Sequence, residues 1–475
     1  MSGYDSSLPA HQVNQEPYLS FHPERENDRD IHPLKGLKSY GPYSRSLVSN
    51  VMDPIRIGFI VPNGTSGKIN PLFKELRNRQ QKNERHRYLI DYPGFSSLYG
   101  VNIVPSSEDA WIELPERLDQ VLQSVENPHE TLAETFSKAI SSLTAYRVEY
   151  DIILIYLPKR WEHCFEDKDS GFDLHDHIKA VASDAGIPTQ IIKQDGALNY
   201  SCRASVMWRL SIALYSKAGG VPWKMFRSEP NTAYVGLSYA LKKKSSSNRF
   251  VTCCSQVFDS SGAGLQFLAY DAKEARVIRD NPFLSRQDMN NIITRSIMLY
   301  ADRHNGQTPD RLVVHKNTEF KDREIKGCFD AWSKDEKLSL IQIQKRNNWR
   351  GIKIKKPEEG NRGDASNYPC SRGTYCFIDD NEVLLWTQGV VDKVSSNYYK
   401  EKKGIPSPLI IKRYAGREDI GQRCSEILGL TKMDWNNDSL YNKIPVTISY
   451  ASKLAQILKR VPEASGGPYS LRFFI

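Results

Sequence analysis

The sequence predicts two α/β units in series, and three observations carry that prediction. Short apolar runs suited to buried strands alternate with helix-length amphipathic stretches between residues 55 and 217. A second succession of strands and helices starts near Asn231, and no internal repeat or low-complexity tract interrupts either unit. With 475 residues, 39% of them hydrophobic, the chain is long enough for two or three domains with sizeable cores.

Residues 1–50 are polar and rich in His and Pro without a sustained period, which predicts an irregular arm or a strap across a partner. The first unit, residues 51–225, opens with IRIGFIVP as a strand. It continues with a helix through NPLFKELRNRQQ, a helix near ETLAETFSKAISSL and the strand YDIILIYLP. This alternation argues for a Rossmann-like domain. A helix from Asp173, in GFDLHDHIKAVASDAG, stops at Gly186. The extended IPTQII then carries Gln190, and a helix from about Ala204 delivers Lys217 just ahead of Gly219 and Gly220.

In the second unit, residues 226–475, the segments TAYVGLSYAL, VTCCSQVFD and LQFLAYD are predicted strands and DMNNIITRSIMLYADRH a helix. RLVVHK and LSLIQIQK follow as strands, GTYCFIDDNEVLLWTQG as a hairpin around Asp379 to Asn381, and VTISYASKLAQILKRV as a helix. That order is compatible with an RNase H-like sheet.

A net charge of +9, from 65 basic against 56 acidic residues, permits nucleic-acid binding without requiring it. No run of about eighteen apolar residues occurs and the polar start lacks a secretory core, so a cytoplasmic protein without membrane contact is expected. The eight cysteines include no C-x-x-C pair, which points to reduced thiols; His163 and Cys164 are neighbours without the further spaced ligands of a zinc site. NGTSGKI resembles a phosphate loop, but Ile69 stands where Ser or Thr would hold Mg2+, so a loop-to-helix joint is the better description.

Four polar residues stand out. His175 and Lys179 are four apart on one helix and so share a face, while Gln190 and Lys217 sit at the ends of the next strand and helix. The set suits one anionic group, although a solvated helix face carries the same residue types. The densest basic stretch is Lys345, Arg346, Arg350, Lys353, Lys355 and Lys356 with Trp349 between. Cations neutralise phosphates and an aromatic stacks on a base, while a solvated loop or a protein contact would use the same residues.

The first four residues resemble the guide 5′-phosphate pocket in the MID domain of Argonaute proteins. That family has a basic or aromatic residue, a Lys four positions on, a Gln ending a GIPxQ stretch and a Lys just before Gly-Gly. Here these are His175, Lys179, Gln190 within GIPTQ and Lys217 within SKAGGVPWKM; His175 departs from the Tyr or Arg of many relatives. GLKSYGPYSRS resembles the segment leading into MID. The resemblance runs from about residue 40 to the end and is to short prokaryotic Argonautes built of MID and PIWI alone. It implies a MID domain over 51–225 and an RNase H-like PIWI domain over 226–475.

Nucleases of the RNase H type hold two divalent ions about 4 Å apart with convergent carboxylates. The family's VGxD, VVHRD and YAH patterns are here VGLS, VVHKN and YAS, which place Ser238, Asn317 and Ser452 where metal ligands belong. The remaining family Glu has no identified counterpart. Hydroxyls and an amide do not replace carboxylates around Mg2+, so no catalytic residues, no catalytic metal and no enzyme activity are expected. The resemblance further implies a structural Mg2+ at the guide phosphate, held by the C-terminal carboxylate of Ile475. Lys345, Arg346, Trp349, Arg350 and Lys353 would line the guide–target channel. Implied partners are a guide RNA, a complementary single-stranded DNA target and, as a heterodimer, a Sir2-APAZ protein or alternatively a TIR-APAZ protein. That partner's NAD-depleting effector would act in abortive infection against plasmids or phage. Two alternatives stay open: an active guide-directed nuclease, and a serine hydrolase centred on Ser238, since GLSYA differs from G-x-S-x-G by Ala240.

Overall fold

The computed structural model describes residues 11–46, 51–83, 88–227, 229–243, 249–259, 261–262, 264–278, 281–354, 364–391, 394, 404–461 and 469–474. Ile475, Lys355 and Lys356 lie outside the described residues.

Residues 11–46 of the N-terminal segment carry one α-helix and short strands between irregular stretches. Pro33–Tyr40 is a helix, α1, which starts on a proline at its first turn and buries Leu34 and Leu37 at three-residue spacing. His11–Val13 adds an antiparallel edge to Thr374–Cys376, and Leu19–Ser20 pairs with Lys224–Met225. The carboxylate of Glu16 lies 2.9 Å from Arg372 and 2.5 Å from Lys432, all three being almost fully buried. The segment is a strap, but across its own chain.

A five-stranded parallel sheet organises the first unit. Thr189–Lys193, Ile152–Leu157, Ile55–Pro62 and Ile103–Pro105 follow one another across it, and Trp111–Leu114 pairs with the second half of Ile55–Pro62. Its helices are α2 (Asn70–Arg77), α3 (Phe95–Tyr99), α4 (Leu118–Ser124), α5 (Pro128–Leu143), α6 (Leu174–Asp184) and α7 (Arg203–Lys217). Every residue of Ile152–Leu157 is buried. Ile152, Leu154 and Tyr156 pack in one cluster with α2 and α7, while Ile153, Ile155 and Leu157 pack in another with α5 and α6. A parallel strand covered on both faces needs this continuous apolar run, not an alternating one.

The second sheet has ten strands. At its centre Arg311–Lys316 runs parallel to both Thr232–Lys243 and Leu338–Gln344, while Arg249–Phe258 and Gly264–Ala272 extend the sheet antiparallel. This mixed order is the RNase H-like arrangement. Helices α8 (Arg286–Arg303) and α9 (Asp322–Ala331) cover one face, and α10 (Ile420–Leu430) and α11 (Val446–Arg460) the other. The start of α11 lies directly on the sheet: a Cβ at Gly236 would fall 1.8 Å from the Thr447 carbonyl oxygen. Further along, α11 reaches α6 of the first unit. Among the described residues no helix is long and apolar enough to cross a membrane.

Candidate functional site

One cavity of about 380 Å³ gathers all four residues singled out in the first unit, His175, Lys179, Gln190 and Lys217. They arrive on three elements of the fold, each for a local reason. Asp173 caps α6, its Oδ1 accepting from the Asp176 amide at 3.0 Å, and the helical spacing then aligns His175 with Lys179. Gln190 projects from Thr189–Lys193, and Lys217 is the last residue of α7. A π-helical turn, Gln194–Leu198, brings Gly196 and Ala197 to the rim. Sequence reasoning missed Arg209 and Lys453, which also line the cavity. Arg209 precedes Lys217 by two helical turns, so face periodicity along α7 was the available signal. Lys453 follows Ser452 but comes from α11, and only the tertiary fold brings it here.

The lysines are deeply placed. Lys179 and Lys217 are 3% and 1% exposed. Lys179 donates to the carbonyl oxygens of Thr189 at 2.9 Å and Phe473 at 3.1 Å. Lys217 donates to Gln190 Oε1 at 2.5 Å, and Lys453 to the Phe474 carbonyl at 2.6 Å. Among the described residues no carboxylate forms an ion pair with Lys217 or Lys453. Burial holds Lys179 well below the ordinary lysine value, with Lys217 and Lys453 pushing it further the same way. Burial and then Lys453 do the same to Lys217. Burial also lowers Lys453, against the opposing pull of Asp434 and Asp176. His175 is lowered by burial, with Asp176 opposing through a 3.3 Å contact to Nδ1. The protonated forms of these groups are thus desolvated and the lysines repel one another around one cavity, a repulsion that an anion placed between them would offset.

Asp173, His175 and Asp176 bring potential ligand atoms within 4.8 Å of one another. Arg460 of α11 already fills the place of a cation there, with Nη1 2.8 Å from Asp173 Oδ2 and 2.6 Å from Asp176 Oδ2.

The other three predicted positions lie on neighbouring elements. Ser238 Oγ donates to Ser452 Oγ at 3.4 Å, joining Thr232–Lys243 to α11. Leu237 is paired with Lys316, so Asn317 follows level with Ser238, and the Asn317 carbonyl accepts from Gln342 Nε2 at 3.5 Å. Among the described residues no metal-ligating cluster forms around Ser238, Asn317 and Ser452. Glu324, a short way along the chain, belongs to the opposite face of the sheet, where it is buried against Lys316 Nζ at 2.6 and 2.7 Å. Among the described residues Ser238 Oγ bonds Ser452 and no histidine, while His315 bonds Thr447 Oγ1 through Nδ1 at 2.9 Å.

The basic stretch lies elsewhere. Lys345, Arg346 and Arg350 are exposed in the segment after Leu338–Gln344, Trp349 is 53% exposed, and Lys353 is on the exposed strand Ile352–Ile354. None of them lines the cavity.

A family model described as the Piwi domain matches residues 164–463. Protein argonaute of Aquifex aeolicus (strain VF5) is 20% identical over 336 residues, which is 70% of this chain and 42% of that protein. Protein argonaute of Cereibacter sphaeroides (strain ATCC 17025 / ATH 2.4.3) is 22% identical over 461 residues, 90% of this chain and 53% of that protein. The chain thus spans about half the length of the curated relatives it matches. Its fold is similar to that of Clostridium butyricum Argonaute bound to a guide DNA and a 19-mer target DNA, with a TM-score of 0.67 and 16% identity. That match covers 100% of this chain and 56% of the other.

Proposed function

The chain belongs to the Piwi domain family, and on that premise we propose that it is a nuclease-inactive short Argonaute that holds a guide RNA by its 5′ phosphate and uses it to recognise complementary single-stranded DNA. The observation that carries this reading is the shared cavity of His175, Lys179, Gln190, Lys217 and Lys453, where buried ammonium groups face one another. A phosphate dianion would neutralise that repulsion, and Gln190 Oε1, which accepts from Lys217, holds that ammonium group in the cavity. Base pairing then reads sequence while the protein holds backbone and shape. The exposed Lys345, Arg346, Trp349, Arg350 and Lys353 serve the path of the guide–target duplex.

The second centre supports binding without cutting. Ser238, Asn317 and Ser452 offer hydroxyl and amide oxygens that do not fit a two-metal site. At the guide phosphate a single Mg2+ would suit phosphate oxygens with the Ile475 carboxylate, adding fixed positive charge. The carbonyls of Phe473 and Phe474 accept from Lys179 and Lys453, which brings these two residues to the cradle. Recognition without cleavage needs a separate output, for which we propose a Sir2-APAZ partner, with TIR-APAZ as the alternative, whose NAD-depleting activity is released by target pairing.

The test is to incubate the purified protein with 5′-phosphorylated guide RNA, complementary DNA and Mg2+ or Mn2+. The expected result is a stable ternary complex with intact target. Site-specific cut products would make the protein an active guided nuclease instead.

A further inference from the structure

We propose that Arg460, clamped by Asp173 and Asp176, is a positioning residue for the phosphate cradle. This rests on the cradle reading above and adds what holds the cradle together. His175 and Lys179 come from α6, but Lys453 comes from α11 of the other unit, so the relative placing of these two helices sets the shape of the anion site.

Lys453, Gln456 and Arg460 are spaced three and four apart and form one stripe of α11. All three engage the same neighbourhood. Lys453 enters the cavity, Gln456 Nε2 lies 3.5 Å from Asp176 Oδ2, and Arg460 Nη1 lies 2.6 Å from that oxygen and 2.8 Å from Asp173 Oδ2. The other carboxylate oxygen of Asp176 lies 3.3 Å from His175 Nδ1, so one side chain ties the clamp to a cavity-lining ring. At its opposite end α11 is seated on the sheet by Gly236 and by the His315–Thr447 hydrogen bond. The helix is therefore fixed at both ends with Lys453 between them.

Fixing is needed because Lys453 is desolvated beside two other ammonium groups, and each of them would gain by moving apart. A largely buried trio of two carboxylates and one guanidinium is a weak source of stability compared with apolar packing, but it specifies register between two elements. The clamp holds the cations in place before the anion arrives, which is what preorganisation of a binding site requires.

The experiment compares RNA of one sequence bearing a 5′ phosphate or a 5′ hydroxyl, bound to the full chain and to Arg460→Ala, Lys453→Ala and the double variant. Arg460→Ala should lower the phosphate preference roughly tenfold, the value of about one charge-assisted contact. In the Lys453→Ala background the same change should cost less than about threefold, because the residue it positions is gone. Equal losses in both backgrounds, equal losses for both RNAs, or no loss would overturn the proposal. Arg460→Lys, which keeps a cation, should recover part of the preference. Asp173→Asn, which retains an Asn cap on α6 and does not line the cavity, gives the same readout if Arg460→Ala fails to fold. A wild-type protein indifferent to the 5′ group would instead remove the cradle reading itself, and this inference with it.

Discussion

Replacing Lys217 by Met separates anion recognition from folding. Lys217 is 1% exposed, its single described hydrogen bond runs to Gln190 Oε1 at 2.5 Å, and burial with Lys453 holds its pKa well below the usual value. Met has similar length and an apolar, adaptable side chain, so the substitution leaves little void. Loss of one charge-assisted contact to a phosphate is worth about 1.5–3 kcal/mol, or roughly 10- to 150-fold in affinity. In the free protein, removal of a desolvated ammonium offsets the lost Gln190 bond, so the melting temperature should hold or rise. Fluorescence anisotropy with 3′-labelled RNA should show the full loss for the 5′-phosphorylated strand and less than about a threefold change for the 5′-hydroxyl strand. Equal weakening of both, or a lower melting temperature with the phosphate preference intact, would refute the reasoning.

Three further outcomes follow from other parts of the molecule. Gly236→Ala places a methyl 1.8 Å from the Thr447 carbonyl oxygen, so α11 must shift; the cost should be about 1–3 kcal/mol in denaturant titration, with a weaker phosphate preference because Lys453 moves too. Glu16→Gln breaks a buried pair with Arg372 and Lys432 and should cost about 3–5 kcal/mol at neutral pH. Burial alone would raise the Glu16 pKa, but Arg372 and Lys432 outweigh it and hold it below 4.5. Its contribution is therefore complete above the unfolded value and disappears as pH falls through the folded one, so wild-type and Glu16→Gln stabilities should converge in acid. Finally, the cradle lysines are depressed in the free protein and an anion raises them, so phosphate binding should take up protons and weaken as pH climbs toward 10.5. Calorimetry in buffers of different ionisation enthalpy measures that uptake; a pH-independent phosphate preference would contradict it.

Much of this architecture was readable from sequence because the informative segments are long and strongly patterned. Ile152–Leu157 is continuously apolar and proved to be covered on both faces, and α6 and α7 carry recognisable starts and stops at Asp173 and Gly219. The short strands Ile103–Pro105 and Trp111–Leu114 went unforeseen because each pairs with only part of Ile55–Pro62 and has too few residues to show a period. Likewise α1 is a helix of eight residues whose stability comes from burying Leu34 and Leu37, not from its sequence propensity. Within the cavity, residues on a single helix or strand could be paired by spacing. Lys453 and Arg460 could not, since their proximity to His175 arises from packing of α11 against α6 across almost three hundred residues of chain.

The most direct measurement is the chemistry of the nucleic acid that co-purifies with the protein from its host. Short RNAs whose 5′ ends are monophosphates, and which disappear from preparations of Lys217→Met, are the predicted result. Preparations devoid of small RNA, or carrying strands with unphosphorylated 5′ ends in equal measure, would contradict a cradle built for a terminal phosphate.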